Sequence, residues 1–335
     1  MTKKIWLIGG GTGGHIYPLR NLADELKHTS DLTLVLADQA LDKQIAHDNF
    51  SDLQTHFLRT GKIRRYFSFK NFGDLFLIIK SIFKARHLLK KYQPDVLFFK
   101  GGFVCFPIIL AAKSLRLKTK LFSHESDISS GRFGRWLAKQ CHDSFKNFEN
   151  KPLYFSPPFM GGAGGGIQKE NQKLLIFGGS QGAAFINQTF LDNADELLEK
   201  YHVTLLTGTS KKINFSHTNF TQHETLPSDQ LAQKIHASDL IISRGGANSL
   251  FEILSAQKPS IIIPLPSVAR NHQYDNAKYF ADQNLCMLLE QNQHTSKKMP
   301  ALIKETLANK NLQQNLQTAS IQNAAPEIAQ ILLST

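Results

Sequence analysis

The sequence predicts an α/β protein built as two Rossmann-like, doubly wound parallel-sheet domains facing one another across a cleft. Three observations carry that expectation. Short apolar, β-branched runs alternate with longer helical patterns, and the scheme occurs twice along the chain. A glycine-rich turn follows the first strand candidate of each half, at residues 9–14 and again at 178–182. With 335 residues and 41% apolar composition, the chain is globular and too long for one ordinary core.

In the first half the strand candidates are residues 5–8, 32–36, 96–99 and 120–122, with helices at 18–28, 71–91 and 107–115. The second half has strands at 174–177, 203–206, 240–242, 260–263 and 286–289, and helices at 183–200, 248–256 and 271–282. Between them, Ser156-Pro157-Pro158-Phe159-Met160 runs into Gly161-Gly162-Ala163-Gly164-Gly165-Gly166, a stretch too glycine-rich to hold regular structure. The expected division is a domain over 1–155, a linker over 156–170 and a domain over 171–335, with the last helix packing back on the first domain. Doubly wound domains bind ligands beyond the C-terminal ends of their strands, so the turns there are where chemistry is sought.

Cys105, Cys141 and Cys286 are far apart and lack metal-ligand or redox spacing, as in a reduced cytosolic protein, and none is given a function. Residues 1–4 lead straight into a strand and glycines, without a secretory apolar segment. The longest apolar run, 103–112, is interrupted by Pro107 and falls short of the roughly 18 residues of a membrane span. A cytoplasmic protein with peripheral membrane contact is expected. The net charge of +12 lies wholly in the first half: residues 1–155 have 25 Lys and Arg against 13 Asp and Glu, and residues 156–335 have 14 against 14. Such asymmetry points to an anionic partner, whether phosphate, acidic lipid or nucleic acid. No base-reading or RNA-binding module is recognisable, so nucleic acid is not expected.

Residues 62–91 suggest where a membrane surface meets the chain. Lys62, Arg64 and Arg65 accompany Tyr66, Phe67 and Phe69, followed by Phe72, Leu75, Phe76, Ile79, Ile82 and Phe83 at helical spacing. Lys80, Lys84, His87 and Lys91 form a second stripe, giving a surface able to lie in the headgroup layer of an anionic bilayer. Part of the apolar stripe, Phe72, Leu75, Phe76 and Ile79, is expected to face the core. Leu77 and Ile78 lie off that stripe and, with the flanking aromatics, are expected toward the membrane.

Gly9-Gly10-Gly11-Thr12-Gly13-Gly14-His15 follows the first strand, and Pro18 opens a helix, so the amides of a tight turn and a helix start point outward together and can receive an anion. Dinucleotide enzymes use similar turns, and Asp38 stands where a ribose-binding acid would, which keeps a redox reading open at this point. The second half repeats the device at Gly178-Gly179-Ser180-Gln181-Gly182-Ala183. A third turn, Ser243-Arg244-Gly245-Gly246-Ala247-Asn248-Ser249, precedes a helix carrying Glu252, a carboxylate suited to a ribose or sugar diol. Pro264 and Pro266 then stiffen a loop leading to Arg270-Asn271-His272-Gln273-Tyr274-Asp275-Asn276-Ala277, whose amide groups can read hydroxyl patterns. Singly, each turn is equally compatible with a structural βα loop.

Taken in order, these segments resemble the MurG family of bacterial glycosyltransferases, which have the GT-B fold and transfer N-acetylglucosamine from UDP-N-acetylglucosamine (UDP-GlcNAc) to lipid I. The resemblance runs nearly end to end and includes Lys100-Gly101-Gly102-Phe103 and His124-Glu125-Ser126-Asp127 beside the turns already quoted. It implies that the C-terminal domain binds UDP-GlcNAc, with Ser180, Gly245, Gly246 and Ala247 near the diphosphate, Glu252 on the ribose, and His272 and Gln273 reading sugar hydroxyls. It implies an acceptor site in the N-terminal domain, with Thr12, Gly13 and Gly14 near the acceptor diphosphate, and Asp127 as a sugar contact. Two departures stand out. Many family members read His-Glu-Gln-Asn where this chain has His124-Glu125-Ser126-Asp127, so Asp127 can accept but not donate a hydrogen bond. Where the family often has Asn-Pro-x-Arg, this chain has Pro157-Pro158-Phe159-Met160, and no arginine is assigned to the uracil.

The implied reaction is an inverting displacement by the muramyl 4-hydroxyl, which needs a base. An imidazole is the side chain whose ordinary pKa suits that task near neutrality, making His15 the first candidate, with Glu125 and Asp127 as rivals. The alternative for His15 is a helix-entry residue that only hydrogen-bonds the acceptor. No Asp-x-Asp metal motif is present, so no metal and no cofactor are expected, and charge on departing UDP falls to backbone amides and helix N-termini. Another GT-B enzyme of UDP-sugars, such as a glycolipid glycosyltransferase or an epimerase, is the alternative.

Overall fold

The computed structural model describes residues 2–61, 70–154, 172–179, 183–209, 212–266 and 271–335, with backbone only at 70–72. By contact the chain forms two compact units, one of Met1–Ser126, Ser130–Phe155 and Asn323–Thr335, the other of Asp127–Ser129 and Ser156–Gln322.

The first unit holds a six-stranded sheet of β1 (Lys3–Ile8), β2 (Ser30–Ala37), β3 (Gln54–Leu58), β4 (Val96–Phe99), β5 (Lys120–Glu125) and β6 (Asp143–Lys146). All pairings are parallel and the order is β3-β2-β1-β4-β5-β6. A parallel sheet is covered on both faces, which is why β1 and β4 are unbroken apolar runs, Ile5-Trp6-Leu7-Ile8 and Val96-Leu97-Phe98-Phe99, all buried. Helices α1 (Pro18–Leu26) and α2 (Ala40–Asn49) cover one face through Leu19, Leu22 and Ile45. Helices α3 (Lys70–Tyr92), α4 (Cys105–Ser114) and α5 (Arg132–Gln140) cover the other through Ala85, Leu89, Ile108 and Leu137. The C-terminal helix, Ala325–Ser334, buries Ile328 and Leu332 in the α1 face. Asn323 donates to the Tyr154 carbonyl at 2.8 Å, and Lys3 caps the helix end by donating to the Leu333 carbonyl at 2.8 Å, a cation where the helix dipole is negative.

The second unit repeats the design with β7 (Gln172–Phe177), β8 (Tyr201–Leu206), β9 (Phe220–His223), β10 (Leu240–Ser243), β11 (Ser260–Ile262) and β12 (Met287–Leu288), ordered β12-β11-β10-β7-β8-β9 and again all parallel. Its helices are α6 (Ala184–Leu191), α7 (Ala194–Lys200), α8 (Ser228–Ala237), α9 (Ala247–Ser255), α10 (His272–Ala281), α11 (Thr295–Ala308) and α12 (Lys310–Thr318). The stretch 183–200, expected as one helix, is broken after Leu191, and Asn193 donates from its side chain to the Thr189 carbonyl at 2.8 Å. Such local side-chain bonds compete with helix continuation. The three cysteines are free thiols.

The side of α3 that faces the core differs from the expectation. Ile78, Ser81, Ala85, Leu88 and Leu89 are buried, whereas Leu75, Phe76, Ile79 and Phe83 are exposed, Phe76 and Phe83 by 68% and 67%. Ile78 therefore belongs to the core, not to an outward patch. The buried face contains the small Ala85 and the polar Ser81, whose hydroxyl is satisfied by the Ile78 carbonyl at 2.7 Å, so its period is hidden from a reading by hydrophobicity. Lys62, Arg64, Arg65, Tyr66, Phe67 and Phe69, the side chain of Phe72, and the linker 156–170 lie outside the described residues. Among the described residues no helix is long and apolar enough to cross a membrane.

Candidate functional site

In each sheet the strand order reverses once, between β1 and β4 and between β7 and β10. At such a switch point adjacent loops leave the sheet in opposite directions and open a crevice beyond the strand C-terminal ends. The glycine turns occupy these two positions.

In the first unit the turn after β1 is held from behind by Asp42, a fully buried residue in the first turn of α2. Its two carboxylate oxygens accept from the Gly11 amide at 3.1 and 3.0 Å, and Oδ2 also accepts from Ala37 N at 3.1 Å. Burial pushes this carboxyl above the usual aspartate range, while the two amide donors pull the other way. Replacing it removes acceptors from two amides, so Asp42→Ala is expected to lower the unfolding free energy by about 2–4 kcal/mol in urea denaturation. An unchanged midpoint would contradict this role. Asp38, the ribose-type acid of the redox reading, is paired with Lys43 at 2.7 Å.

Thr12 precedes a short 3-10 turn, Gly13–His15, that leads toward α1. His15 Nδ1 lies 3.2 Å from the Gly10 carbonyl and 3.3 Å from Thr12 Oγ1. A carbonyl oxygen only accepts, so Nδ1 carries the hydrogen and the neutral ring presents its lone pair at Nε2. A side chain on Gly101 would place its Cβ 3.1 Å from that Nε2, so the ring lies against the loop that follows β4. Gly102, at φ +94°, presses on the first turn so closely that a Cβ there would sit 2.3 Å from the Gly10 carbonyl oxygen. The two switch-point loops are thus packed against each other with the imidazole at their edge. Lys100, just before this loop, is buried and donates from Nζ to Ser126 Oγ.

His124 and Glu125 close β5. His124 is buried with Nε2 on the Lys151 carbonyl at 2.8 Å, and burial, reinforced by the Lys100 charge, holds its pKa well below the usual histidine range. Glu125 Oε1 accepts from Ser126 N at 3.1 Å, and its other oxygen lies where a Cβ on Gly134 of α5 would be. Residues 127–129 pack with the second unit, where Asn276 donates to Asp127 Oδ1 at 2.9 Å and accepts from Ile128 N at 2.9 Å.

In the second unit Gly178-Gly179 leaves β7; Ser180, Gln181 and Gly182 lie outside the described residues, as does Arg270. Asn187 of α6 donates to the Thr207 carbonyl at 3.0 Å, fixing that helix to the end of β8. After β10, Arg244 is buried and its Nη1 donates to the Ile263 carbonyl at 2.9 Å and to Gln291 Oε1 at 2.8 Å, with its guanidinium 5.9 Å from the centre of the Phe185 ring. Desolvation lowers its pKa to about 10. Gly245 meets the start of α10 so closely that a Cβ would lie 2.2 Å from the Gln273 carbonyl oxygen. The loop is also held by Asn276, which donates to the Gly245 carbonyl at 3.1 Å. Gly246 caps α9, leaving the amides at Ala247 and beyond as an anion-receiving helix start. One turn further along α9, burial pushes the Glu252 carboxyl up to about 8. His272 opens α10, and Gln273 Oε1 already accepts from Leu265 N at 2.9 Å, which leaves its amide nitrogen for a ligand.

Thr12, Gly13, Gly14 and His15 thus stand at the first switch point and Gly245, Gly246 and Ala247 at the second, with Glu252 further along α9 and His272 and Gln273 at the start of α10. The contacts of Asp42, Lys100, Arg244 and Asn276 have no signature in the local sequence. Asp42 offers no signal there beyond an ordinary acid near a helix start. Among the described residues no group of three His, Cys, Asp or Glu side chains is placed to hold a metal ion.

Comparison with known proteins matches residues 5–145 to the glycosyltransferase family 28 N-terminal domain and residues 173–332 to the glycosyltransferase family 28 C-terminal domain. The chain is 33% identical over 313 residues, 87% of each chain, to the UDP-N-acetylglucosamine--N-acetylmuramyl-(pentapeptide) pyrophosphoryl-undecaprenol N-acetylglucosamine transferase of Staphylococcus aureus strain bovine RF122 / ET3-1. The crystal structure of Acinetobacter baumannii MurG shares the fold with a TM-score of 0.74 at 19% identity, over 99% of this chain and 100% of that one. The glycosyltransferase of kitacinnamycin shares it with a TM-score of 0.72 at 11% identity, over 100% and 99%. The chain belongs to the family of UDP-N-acetylglucosamine--N-acetylmuramyl-(pentapeptide) pyrophosphoryl-undecaprenol N-acetylglucosamine transferases.

Proposed function

We propose that this chain transfers N-acetylglucosamine from UDP-GlcNAc to the muramyl 4-hydroxyl of undecaprenyl-pyrophosphoryl-N-acetylmuramyl-pentapeptide, lipid I, giving lipid II with inversion at the anomeric carbon. The observation that carries the reading is the family relationship across 87% of the chain. The glycine turns at both switch points agree with it, one for each diphosphate-bearing substrate.

In this reading the turn at Thr12, Gly13 and Gly14 receives the acceptor diphosphate, and His15 Nε2 accepts the proton of the 4-hydroxyl. The hydroxyl oxygen forms its bond to the anomeric carbon as the bond to UDP breaks, and UDP leaves with the electron pair. Ser180, Gly245, Gly246 and Ala247 stabilise the departing diphosphate through hydrogen-bond donors and the start of α9. Glu252 accepts from the ribose, and His272 with the Gln273 amide nitrogen reads the sugar hydroxyls. Asp127 accepts from a sugar hydroxyl.

The acceptor's lipid tail stays in a bilayer, so the enzyme works at the cytoplasmic face of the membrane. Its contact there is the exposed stripe of Leu75, Phe76, Ile79 and Phe83 on α3, flanked by Lys80, Lys84 and His87. The reading is tested by incubating purified protein with UDP-GlcNAc and a soluble lipid I analogue and resolving the product by proton NMR. A β-linked N-acetylglucosamine on the muramyl 4-hydroxyl is expected. An α-linked product, or none with an analogue that a related transferase accepts, would contradict it.

A further inference from the structure

Among the described residues Lys100 is the only buried lysine, at 2% exposure. Its amide extends the β4 ladder by donating to the Ile8 carbonyl at 2.8 Å, so the residue stands at the first switch point, one position ahead of the Gly101 that meets the His15 ring. Removing an ammonium from water costs far more than burying an apolar chain of similar length, and a methionine would fill the same space without that penalty.

The segment this cation meets is acidic. Lys100 Nζ donates to the hydroxyl of Ser126, and Ser126 is flanked in the chain by Glu125 and Asp127. Both carboxylates are fixed: Glu125 Oε1 accepts from Ser126 N at 3.1 Å, and Asp127 Oδ1 accepts from the Asn276 side chain at 2.9 Å. Asn276 is itself fully buried and accepts from Ile128 N at 2.9 Å, which pins the stretch after β5. The ammonium also bears on the residue before Glu125. Burial first, and the Lys100 charge second, hold the His124 pKa well below the usual histidine range. His124 Nε2 carries its hydrogen toward the Lys151 carbonyl at 2.8 Å, and Nδ1 is buried without a hydrogen-bond partner among the described residues.

Two acids within three residues oppose the acceptor assigned to this unit. That acceptor carries a diphosphate, received by the turn after β1, and Asp127 accepts from its sugar. Like charges in a poorly hydrated crevice repel strongly and are little screened by salt. A neutral amide at position 127 would add no such repulsion, whereas Asp127 does. A neutral donor to Ser126 would leave the repulsion in place, whereas an ammonium counters it.

We propose that Lys100 is the charge-balancing residue of the acceptor site: its ammonium, held on Ser126, offsets Glu125 and Asp127 and so lets a diphosphate-bearing acceptor bind beside two carboxylates. The inference rests on the acceptor-site reading above. The test is calorimetric titration of the full chain with a soluble lipid I analogue and, separately, with the N-acetylmuramyl-pentapeptide that lacks the diphosphate. Wild type is compared with Lys100→Met, Lys100→Gln, Asp127→Asn and Lys100→Met/Asp127→Asn. Lys100→Met is expected to weaken the analogue by about 10–100-fold and to leave the diphosphate-free compound unchanged. Lys100→Gln can still donate to Ser126 but has no charge; it is expected to lose as much, and it gives the same comparison if methionine prevents folding. Asp127→Asn in the Lys100→Met background removes one of the two carboxylates left without compensation, and about tenfold of the affinity is expected to return. A purely structural hold on Ser126 gives a different pattern. Lys100→Gln would bind as wild type does, both compounds would weaken alike in Lys100→Met, and Asp127→Asn would add a further loss. That pattern overturns the inference, as does wild-type affinity in both Lys100 variants, and either leaves the acceptor-site reading standing. Wild type that binds neither compound overturns that reading and the inference with it.

Discussion

His15→Ala is expected to lower acceptor-dependent turnover by about 10²–10⁴-fold, the usual contribution of a positioned general base. UDP affinity should not change, because the donor site is assigned to the other unit. The expectation comes from hydrogen-bond accounting: the Gly10 carbonyl, 3.2 Å from Nδ1, fixes the hydrogen there and leaves Nε2 able to take a proton. His15→Asn separates catalysis from binding. An amide can keep a hydrogen bond to the acceptor but cannot serve as the base, so a variant that recovers turnover would reduce His15 to a contact. Full turnover in both variants would move the base to Glu125 or Asp127. Both already accept a hydrogen bond, Glu125 from Ser126 N and Asp127 from the Asn276 side chain.

UDP affinity of the wild-type protein is expected to rise with pH up to about 8 and to level off above it. Below that value the free protein holds Glu252 protonated, because burial has raised the carboxyl from its ordinary 4.5. Ribose hydroxyls donate best to the ionised carboxylate, so binding at lower pH must expel a proton, costing up to about tenfold in affinity per pH unit. Glu252→Gln should flatten this dependence, and Glu252→Ala should weaken UDP by about 10–100-fold, the loss of hydrogen bonds to a charged group. Calorimetric titration at several pH values checks both, and pH-independent binding in wild type would remove Glu252 from the ribose. Stability has the opposite sign. Between about 4.5 and about 8 the folded state binds the proton that the unfolded state has released, so the contribution of this group to stability falls as pH rises through that window.

Much of this site was legible in the sequence because its parts depend on local rules. A glycine run after an apolar strand announces a turn that exposes amides, and both such runs stand at switch points. Central strands such as Val96–Phe99 were legible because burial on both faces leaves no polar interruption. The edge strands β3, β6 and β9 carry little sequence signal: Gln-Thr-His-Phe-Leu, Asp-Ser-Phe-Lys and Phe-Thr-Gln-His are half polar and owe their conformation to a single neighbouring strand. The orientation of α3 runs against its hydrophobic pattern, because Ser81 and Ala85 face inward while Phe76 and Phe83 face out. Residues that act on the site from a distance in sequence were hidden for a further reason. Asp42 supports Gly11 from α2 and Asn276 supports Gly245 from α10, and nothing in the local sequence records which backbone group each one meets.

The most direct measurement of the central claim is release of UDP from UDP-GlcNAc by the wild-type protein, with and without a soluble lipid I analogue. Release that requires the analogue, and that collapses in His15→Ala while UDP binding persists, is the result the account predicts. Release independent of the analogue, or none with an analogue that a related transferase accepts, would contradict it.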